Sequence, residues 1–174
     1  ELRSAGMLDG VSAHAIFDLS EIIIYNRDVN DAERVIIQNG MAARSGVTLN
    51  DMDVYAGGDG PLNGFYKGVT GIGNYNASVY PVAGTVSVSP SSGGLVLEEQ
   101  NSTLNSSGEF VCLGYKGNPN GWLYDTSGNR KLRREWYVQK TTTDGVDVKL
   151  TFDLSDADII LEEGLSYRLL YRSD

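Results

Sequence analysis

The stretch VDVKLTFDL, residues 146–154, alternates apolar and polar side chains more regularly than any other part of the chain. Successive side chains of a strand point to opposite faces, so one face of this stretch is expected on a core and the other in water. The apolar positions are Val148, Leu150, Phe152 and Leu154. We therefore predict a strand here and an antiparallel sheet around it.

Two further stretches in the last third of the chain show the same period of two. In residues 134–140, Trp136 and Val138 share the predicted core face, and the opposite face carries Glu135, Tyr137 and Gln139. In residues 167–171 the aromatic and aliphatic side chains also alternate with Arg168 and Leu170. Both stretches are predicted to be strands with one buried and one wet face.

Between Gly46 and this last third, Gly, Asn, Ser and Asp recur about every 8 to 12 residues, a spacing typical of a sandwich or barrel. The segment 100–109 is rich in Ser and Asn and is predicted to be an exposed loop. The remaining strand predictions in this part of the chain are 65–72, 82–88, 95–97 and 110–115, and tight turns are predicted on both sides of residues 122–124.

One helix is predicted, from about residue 31 to residue 44. Asn30 is a good N-cap and Glu33 completes a capping box, while Gly46 supplies the left-handed stop. Ahead of this helix, the run EIIIY at residues 21–25 places β-branched side chains in series. Such a run favours a strand buried on both faces.

Composition limits the possible partners. The chain has 174 residues, is 41% hydrophobic, and carries 14 Lys and Arg against 23 Asp and Glu. The resulting net charge of −9 argues against nucleic acid and against anionic lipid surfaces, both of which select basic faces. No stretch approaches the roughly 20 apolar residues of a membrane span, so we expect no membrane insertion.

The chain offers little for catalysis. His14 is its only histidine and Cys112 its only cysteine, so a structural zinc site and a disulfide within the chain are both excluded. Cys112 stands between apolar neighbours and is predicted to be buried. A glycosidase would need paired carboxylates, and the sequence pairs none of the candidates Glu98, Glu99, Glu109 and Glu135. We predict that the chain is not an enzyme.

The best candidate ligand site is the aromatic pair Trp122 and Tyr124. Sugars stack their C–H faces on flat rings while polar neighbours bond their hydroxyls. Here those neighbours would be Asn118, Asn120 and Asp125. The alternative is that Trp122 anchors its loop to the core.

A calcium site is the candidate metal centre. Asp51, Asp53 and Asp59 fall in a Gly-rich loop, and calcium takes oxygen ligands from loops of this composition. The spacing is not that of an EF-hand. The alternative is that these side chains cap turns through bonds to the backbone.

Several segments in order resemble one family. They are DLSEIIIYNR at 18–27, NDAER at 30–34, VTGIG at 69–73, REWYVQ at 134–139, VKLTFDLS at 148–155 and YRLLYR at 167–172. The chain resembles an uncharacterised β-sandwich domain that follows laminin-G/concanavalin-like modules in large secreted, adhesin-like surface proteins of Bacteroidota. Those proteins often carry a type IX secretion signal. The resemblance implies a secreted or cell-surface location and supplies no catalytic residue.

The sequence as a whole predicts a mostly β fold, an antiparallel β-sandwich of jelly-roll or Ig-like type with one N-terminal α-helix. Residues 1–30 would be a lead-in or the terminal strands of a preceding module, 31–46 a connector helix, and 47–174 the sandwich. Because the chain starts at Glu1 within ordinary domain sequence and has no signal peptide, we expect it to be a piece of a longer protein.

The expected function is that of a non-enzymatic structural or adhesion module. The alternatives are a glycan-binding module, calcium-assisted or not, and an ancillary domain of a polysaccharide-degrading enzyme. Its expected partners are neighbouring domains of the same parent chain, surface glycans or the secretion machinery.

Overall fold

The fold is known from a computed structural model. It describes residues 7–8, 11–12, 19–58, 64–75, 92–117, 122–124, 126–141, 144–153, 162–164 and 166–172. Within these residues the protein is mostly strand, its sheets are antiparallel, and it has one helix. The strand predicted at 82–88 lies outside the described residues.

The described chain contains nine strands and one helix. In order they are β1 (Met7–Leu8), β2 (Val11–Ser12), α1 (Asp31–Ser45), β3 (Lys67–Asn74), β4 (Leu95–Glu99), β5 (Glu109–Lys116), β6 (Trp122–Tyr124), β7 (Arg130–Leu132), β8 (Glu135–Lys140) and β9 (Val148–Phe152). Hydrogen bonding joins them as β1-β2, β3-β5-β8, β4-β9 and β6-β7.

The helix begins and ends where its sequence signals place it. The Asn30 side chain accepts the Glu33 N–H at 2.8 Å, and the Glu33 carboxylate accepts the Asn30 N–H at 2.9 Å, which completes the capping box. At the other end Gly46 has φ of 64°, a left-handed conformation that favours glycine. The predicted helix is confirmed, with its last residue one position later than expected.

Strand β5 is the centre of the three-stranded sheet and is buried on both faces. It pairs antiparallel with β3, where Ile72 faces Val111, and with β8, where Val138 faces Leu113. Its first six residues, Glu109 to Gly114, are buried. A strand with neighbours at both edges and cover on both faces is the most constrained element of a sheet.

One face of the central sheet packs against the helix. Phe110 and Cys112 of β5 point to this side and join a cluster with Ala32, Val35, Ile36, Ala43, Val54 and Tyr55. Strand β3 places Gly71 and Gly73 opposite Cys112 and Phe110. A Cβ atom at Gly73 would overlap the Phe110 ring, so the missing side chain makes room for that ring beneath the helix.

The other face of the central sheet packs against β4 and β9. Val111 and Leu113 of β5 join a second cluster with Ile72, Leu95, Leu97 and Leu104, and Trp136 and Val148 pack against it. The described chain therefore has three layers, a helix, a three-stranded sheet and a two-stranded sheet. Neither sheet closes into a barrel.

The prediction of a buried strand at 21–25 is wrong. Residues 19–25 form no strand, and Ile22 and Ile24 are 54% and 87% exposed. A run of isoleucines becomes a central strand only when two sheet neighbours and two layers surround it, and no such neighbours occur among the described residues. The segment is held along α1 by side-chain contacts instead.

Two further strand predictions need correction. Residues 166–172 form no strand, and Leu169, Leu170 and Tyr171 are exposed. Strand β8 does not divide as predicted into a core face and a wet face, because Tyr137 packs on the helix side with its ring 5.9 Å from that of Tyr55, whereas Val138 on the predicted core face is 39% exposed. None of the side chains of β8 is fully buried, since this strand lies at the edge of the three-stranded sheet.

Two smaller predictions for the β-sheet region are confirmed only in part. The loop predicted at 100–109 exists, but it buries Leu104 in the second cluster, and Glu109 already belongs to β5. The strand predicted at 146–154 runs only from Val148 to Phe152, and its predicted core face is partly open, with Leu150 and Phe152 39% and 37% exposed.

Replacing Gly73 tests the close packing beneath the helix. We expect Gly73→Ala to lower the free energy of unfolding by about 1–3 kcal/mol, because the new methyl group meets the Phe110 ring. Denaturant unfolding measures this loss. The matched control is Gly145→Ala, where a Cβ meets no atom within 4 Å and we expect a change under about 0.5 kcal/mol. Equal losses in both variants would contradict the packing argument.

Candidate functional site

The predicted aromatic pair lies on a β-hairpin formed by β6 and β7. Trp122 pairs with Leu132 and Tyr124 pairs with Arg130 across the hairpin. Directly opposed residues of an antiparallel pair project from the same face, so these four side chains share one face. The turn uses Gly128 at φ of 80°, which suits glycine.

The two aromatic rings differ in exposure. Tyr124 is 65% exposed, whereas Trp122 is half-buried. A ligand can stack on an exposed ring without any change in the packing of the core, so Tyr124 is the stronger candidate for stacking. Trp122 leaves only part of its ring surface open to a ligand, and its role in binding stays a prediction.

Arg130 adds a charged group beside the exposed ring. Its guanidinium carbon lies 5.9 Å from the centre of the Tyr124 ring, within range of a cation–π contact. The same guanidinium forms an ion pair with Glu162. The hydrogen bond from Arg130 to Glu162 raises the pKa of Arg130 above its usual value.

A second segment reaches this hairpin through Glu162. The backbone N–H of Glu162 donates to the Tyr167 hydroxyl at 2.8 Å, which places that ring next to the ion pair. Tyr167 is 46% exposed. Arg130, Glu162 and Tyr167 are not among the site residues predicted from the sequence. The turn between Tyr124 and Arg130 was a usable signal for Arg130, but no local pattern marks Glu162.

The three polar neighbours predicted for the aromatic pair are not part of the described chain. Asn118, Asn120 and Asp125 lie outside the described residues. Their role as sugar ligands stays a prediction.

Two of the three residues predicted to bind calcium lie within the described part of the chain. Asp51 and Asp53 lie on an exposed segment after the helix, and Asp59 is outside the described residues. Within the part of the chain that the structure describes, no three His, Cys, Asp or Glu side chains come together in a way that could hold a metal ion. Calcium binding through these three residues stays a prediction.

The single cysteine is buried in the core, as predicted. Cys112 packs in the helix-side cluster, and burial raises the pKa of its thiol to about 12. A thiol that stays protonated at neutral pH is a poor nucleophile. The neighbouring Tyr55 hydroxyl donates to the Phe65 carbonyl at 2.6 Å, and burial raises its pKa as well.

Among the described residues the most buried carboxylate is that of Glu33, and it is fully engaged in local structure. It accepts two hydrogen bonds from Arg27, at 2.6 and 2.8 Å, besides its capping bond to Asn30. The hydrogen bond from Arg27 lowers the pKa of Glu33 despite its burial. This carboxylate stabilises the start of the helix.

The four carboxylates considered for a glycosidase also have contacts of their own. Glu98 pairs with Lys149 at 2.8 Å, and Glu135 lies between Lys116 and Lys131. Glu99 and Glu109 accept backbone N–H groups at 2.8 and 2.7 Å.

Comparison with known proteins adds no assignment. A scan against protein-family models finds no match, and searches among curated proteins and solved structures likewise find none. Among the described residues, no helix is long and apolar enough to cross a membrane.

The Glu33 contacts predict a pH dependence of stability. The pKa of Glu33 is lower in the folded protein than in the unfolded chain, so its contribution is complete above the unfolded pKa and is lost as pH falls through the folded pKa. We expect Glu33→Gln to lower the free energy of unfolding by about 1–2 kcal/mol at neutral pH. Below the folded pKa, the difference from the wild type should shrink.

Denaturant unfolding at several pH values measures the Glu33 effect. Glu98→Gln is the control, because its pair with Lys149 is exposed and should contribute under about 0.5 kcal/mol. A Glu33→Gln deficit that stays constant down to low pH would contradict the role of the ionised carboxylate.

Proposed function

We propose that the chain is a non-enzymatic structural or adhesion module of a larger secreted or cell-surface protein. The fold proposed for it is a β-sandwich of jelly-roll or Ig-like type with one helix. The observation that supports this most is the exposed apolar run Ile22, Ile23 and Ile24, displayed along the outside of α1. Its proposed partner is a neighbouring domain of the same parent chain.

Side chains at both ends of the helix hold this run in place. Near the end of α1, Arg44 donates to the Glu21 carboxylate at 2.8 and 3.1 Å. Near its start, Arg27 forms the two hydrogen bonds to Glu33. The segment between Glu21 and Arg27 therefore runs antiparallel to the helix.

An extended apolar segment fixed in this way is suited to docking. Contiguous exposed apolar surface usually marks an interaction site rather than free surface. The ion pairs restrict the segment before it meets a partner, so less conformational entropy is lost on docking. The run is exposed on both of its faces. It is therefore suited to pair as an additional strand with the sheet of a partner domain, which would cover both faces.

The described reactive groups support a non-enzymatic role. Cys112 is buried and protonated, and Glu33 is committed to the helix cap. Perturbed groups at an active site normally face a cleft. These two groups instead lie within packed structure, where they stabilise the fold. His14 lies outside the described residues.

Hydrogen exchange on the native protein tests the structural role. Protein isolated from its source with antibodies against this chain should be longer than 174 residues and should come from the medium or the cell surface. In that protein, backbone amides of residues 22–24 should exchange more slowly than in the isolated chain, because a neighbouring domain covers them. Amides of α1 serve as the internal control and should exchange equally in both.

Two outcomes would contradict the structural role. One is a native protein of the same length as this chain and located inside the cell. The other is equal exchange of residues 22–24 in the two forms, since the apolar run would then have no partner.

Glycan binding is a second candidate, and the exposure of Tyr124 favours it. A ring that is 65% exposed, on the same hairpin face as Trp122, offers a flat surface for the C–H face of a sugar. This candidate is compatible with adhesion, since an adhesion module can bind surface glycans. Its ligand site would be the exposed face of the β6–β7 hairpin.

A glycan array separates the two candidates. If the hairpin binds sugar, Tyr124→Ala should weaken binding about tenfold, the effect of losing roughly 1.4 kcal/mol of stacking, with an unchanged melting temperature. Trp122→Ala should weaken binding and also lower the melting temperature, because its ring is half-buried. The control is Tyr171→Ala, an 87% exposed tyrosine outside the hairpin.

The array should be run once with calcium and once with chelator. Binding that disappears with chelator would support the calcium prediction for this chain. A blank array under both conditions, with a cooperative melt, would exclude glycan binding and leave the structural role.

A further inference from the structure

We propose that the sugar platform extends beyond the hairpin to Tyr167, that the Arg130–Glu162 pair binds sugar hydroxyls, and that the ligand is an uncharged glycan. This inference rests on the glycan-binding candidate and adds residues from a second segment of the chain. It also fixes the chemical class of the ligand.

Side-chain contacts join the two segments at one place. Arg130 lies beside the Tyr124 ring on the hairpin and forms its ion pair with Glu162. Glu162 in turn donates its backbone N–H to the Tyr167 hydroxyl at 2.8 Å. The ion pair therefore links one exposed tyrosine of the hairpin to a second tyrosine 43 positions later in the chain.

The two rings have the exposure that stacking needs. Tyr124 and Tyr167 are 65% and 46% exposed, and the Tyr167 hydroxyl is held by the backbone of Glu162. A ring fixed at its hydroxyl end loses little freedom when a sugar stacks on its face. Tyr167 also contributes to the raised pKa of Arg130, as Tyr124 does, which agrees with both rings lying close to the guanidinium.

The charge of the site selects an uncharged ligand. Glu162 neutralises Arg130, so an anionic sugar would have to displace Glu162 from the guanidinium, whereas a neutral sugar would not. The net charge of −9 over the whole chain adds repulsion against anionic polymers.

The same ion pair can recognise hydroxyl groups. A guanidinium has five N–H donors and a carboxylate accepts several hydrogen bonds, so both retain capacity beyond their mutual contact. A sugar hydroxyl both donates and accepts, and adjacent hydroxyls can bridge a donor and an acceptor held side by side. Rings for the C–H face and an ion pair for the hydroxyls together match a pyranose.

Binding to soluble polysaccharides tests the inference. The probes are neutral xylan, β-glucan and galactomannan, and anionic polygalacturonate and dextran sulfate, each measured by affinity electrophoresis and calorimetry on the whole chain. We expect at least one neutral polymer to bind with an affinity that changes little with salt. We expect no binding of the anionic polymers at physiological ionic strength.

Variants of the second segment give the decisive comparison. Tyr167→Ala should weaken binding about tenfold, and Glu162→Gln should weaken it severalfold by unpairing Arg130. Tyr167→Phe keeps the ring but loses the hydroxyl that accepts from Glu162, so its loss should be smaller than that of Tyr167→Ala. The controls are Tyr171→Ala and Glu163→Gln, exposed side chains of the same types. All of these positions are exposed, so melting temperatures should stay unchanged.

The outcomes distinguish this inference from the function on which it rests. Binding that Tyr124→Ala weakens but Tyr167→Ala and Glu162→Gln leave unchanged would keep the glycan-binding function and overturn the wider platform. Binding of anionic polymers alone would overturn the ligand class. Absence of binding to any probe would overturn both the inference and the glycan-binding candidate.

Discussion

The structure depends on the burial of β5 on both of its faces. Alternate residues of one short strand supply two separate cores, with Phe110 and Cys112 under the helix and Val111 and Leu113 under β4 and β9. A single strand thus fixes the relative positions of three layers. The requirement for close packing on both sides also explains why a glycine, Gly73, must stand opposite Phe110.

Ion pairs as well as packing hold together the helix α1 and the segment that precedes it, residues 21–27. Glu33 is buried where it caps the helix, and Arg27 compensates its charge from the preceding segment. Arg44 binds the same segment at the other end of the helix. The chain therefore uses ion pairs, rather than a sheet, to hold an apolar run that remains exposed.

Local signals allowed the sequence to predict the helix but not the layers. Asn30, Glu33 and Gly46 act within a few residues of one another, so their roles follow from spacing alone. The environment of Ile24 or Tyr137 depends on segments far away in the chain. Alternation indicates that a strand has two different faces, and it does not indicate whether the second face meets water or another layer.

The candidate site shows the same division between local and distant information. An exposed Tyr124 beside a turn follows from the sequence, whereas the pairing of Arg130 with Glu162 joins residues 32 positions apart. The site also differs physically from the core, because most of its side chains are exposed. Substitutions of these exposed side chains should have little effect on stability, so the surface of the hairpin can change while β5 and its two cores stay the same.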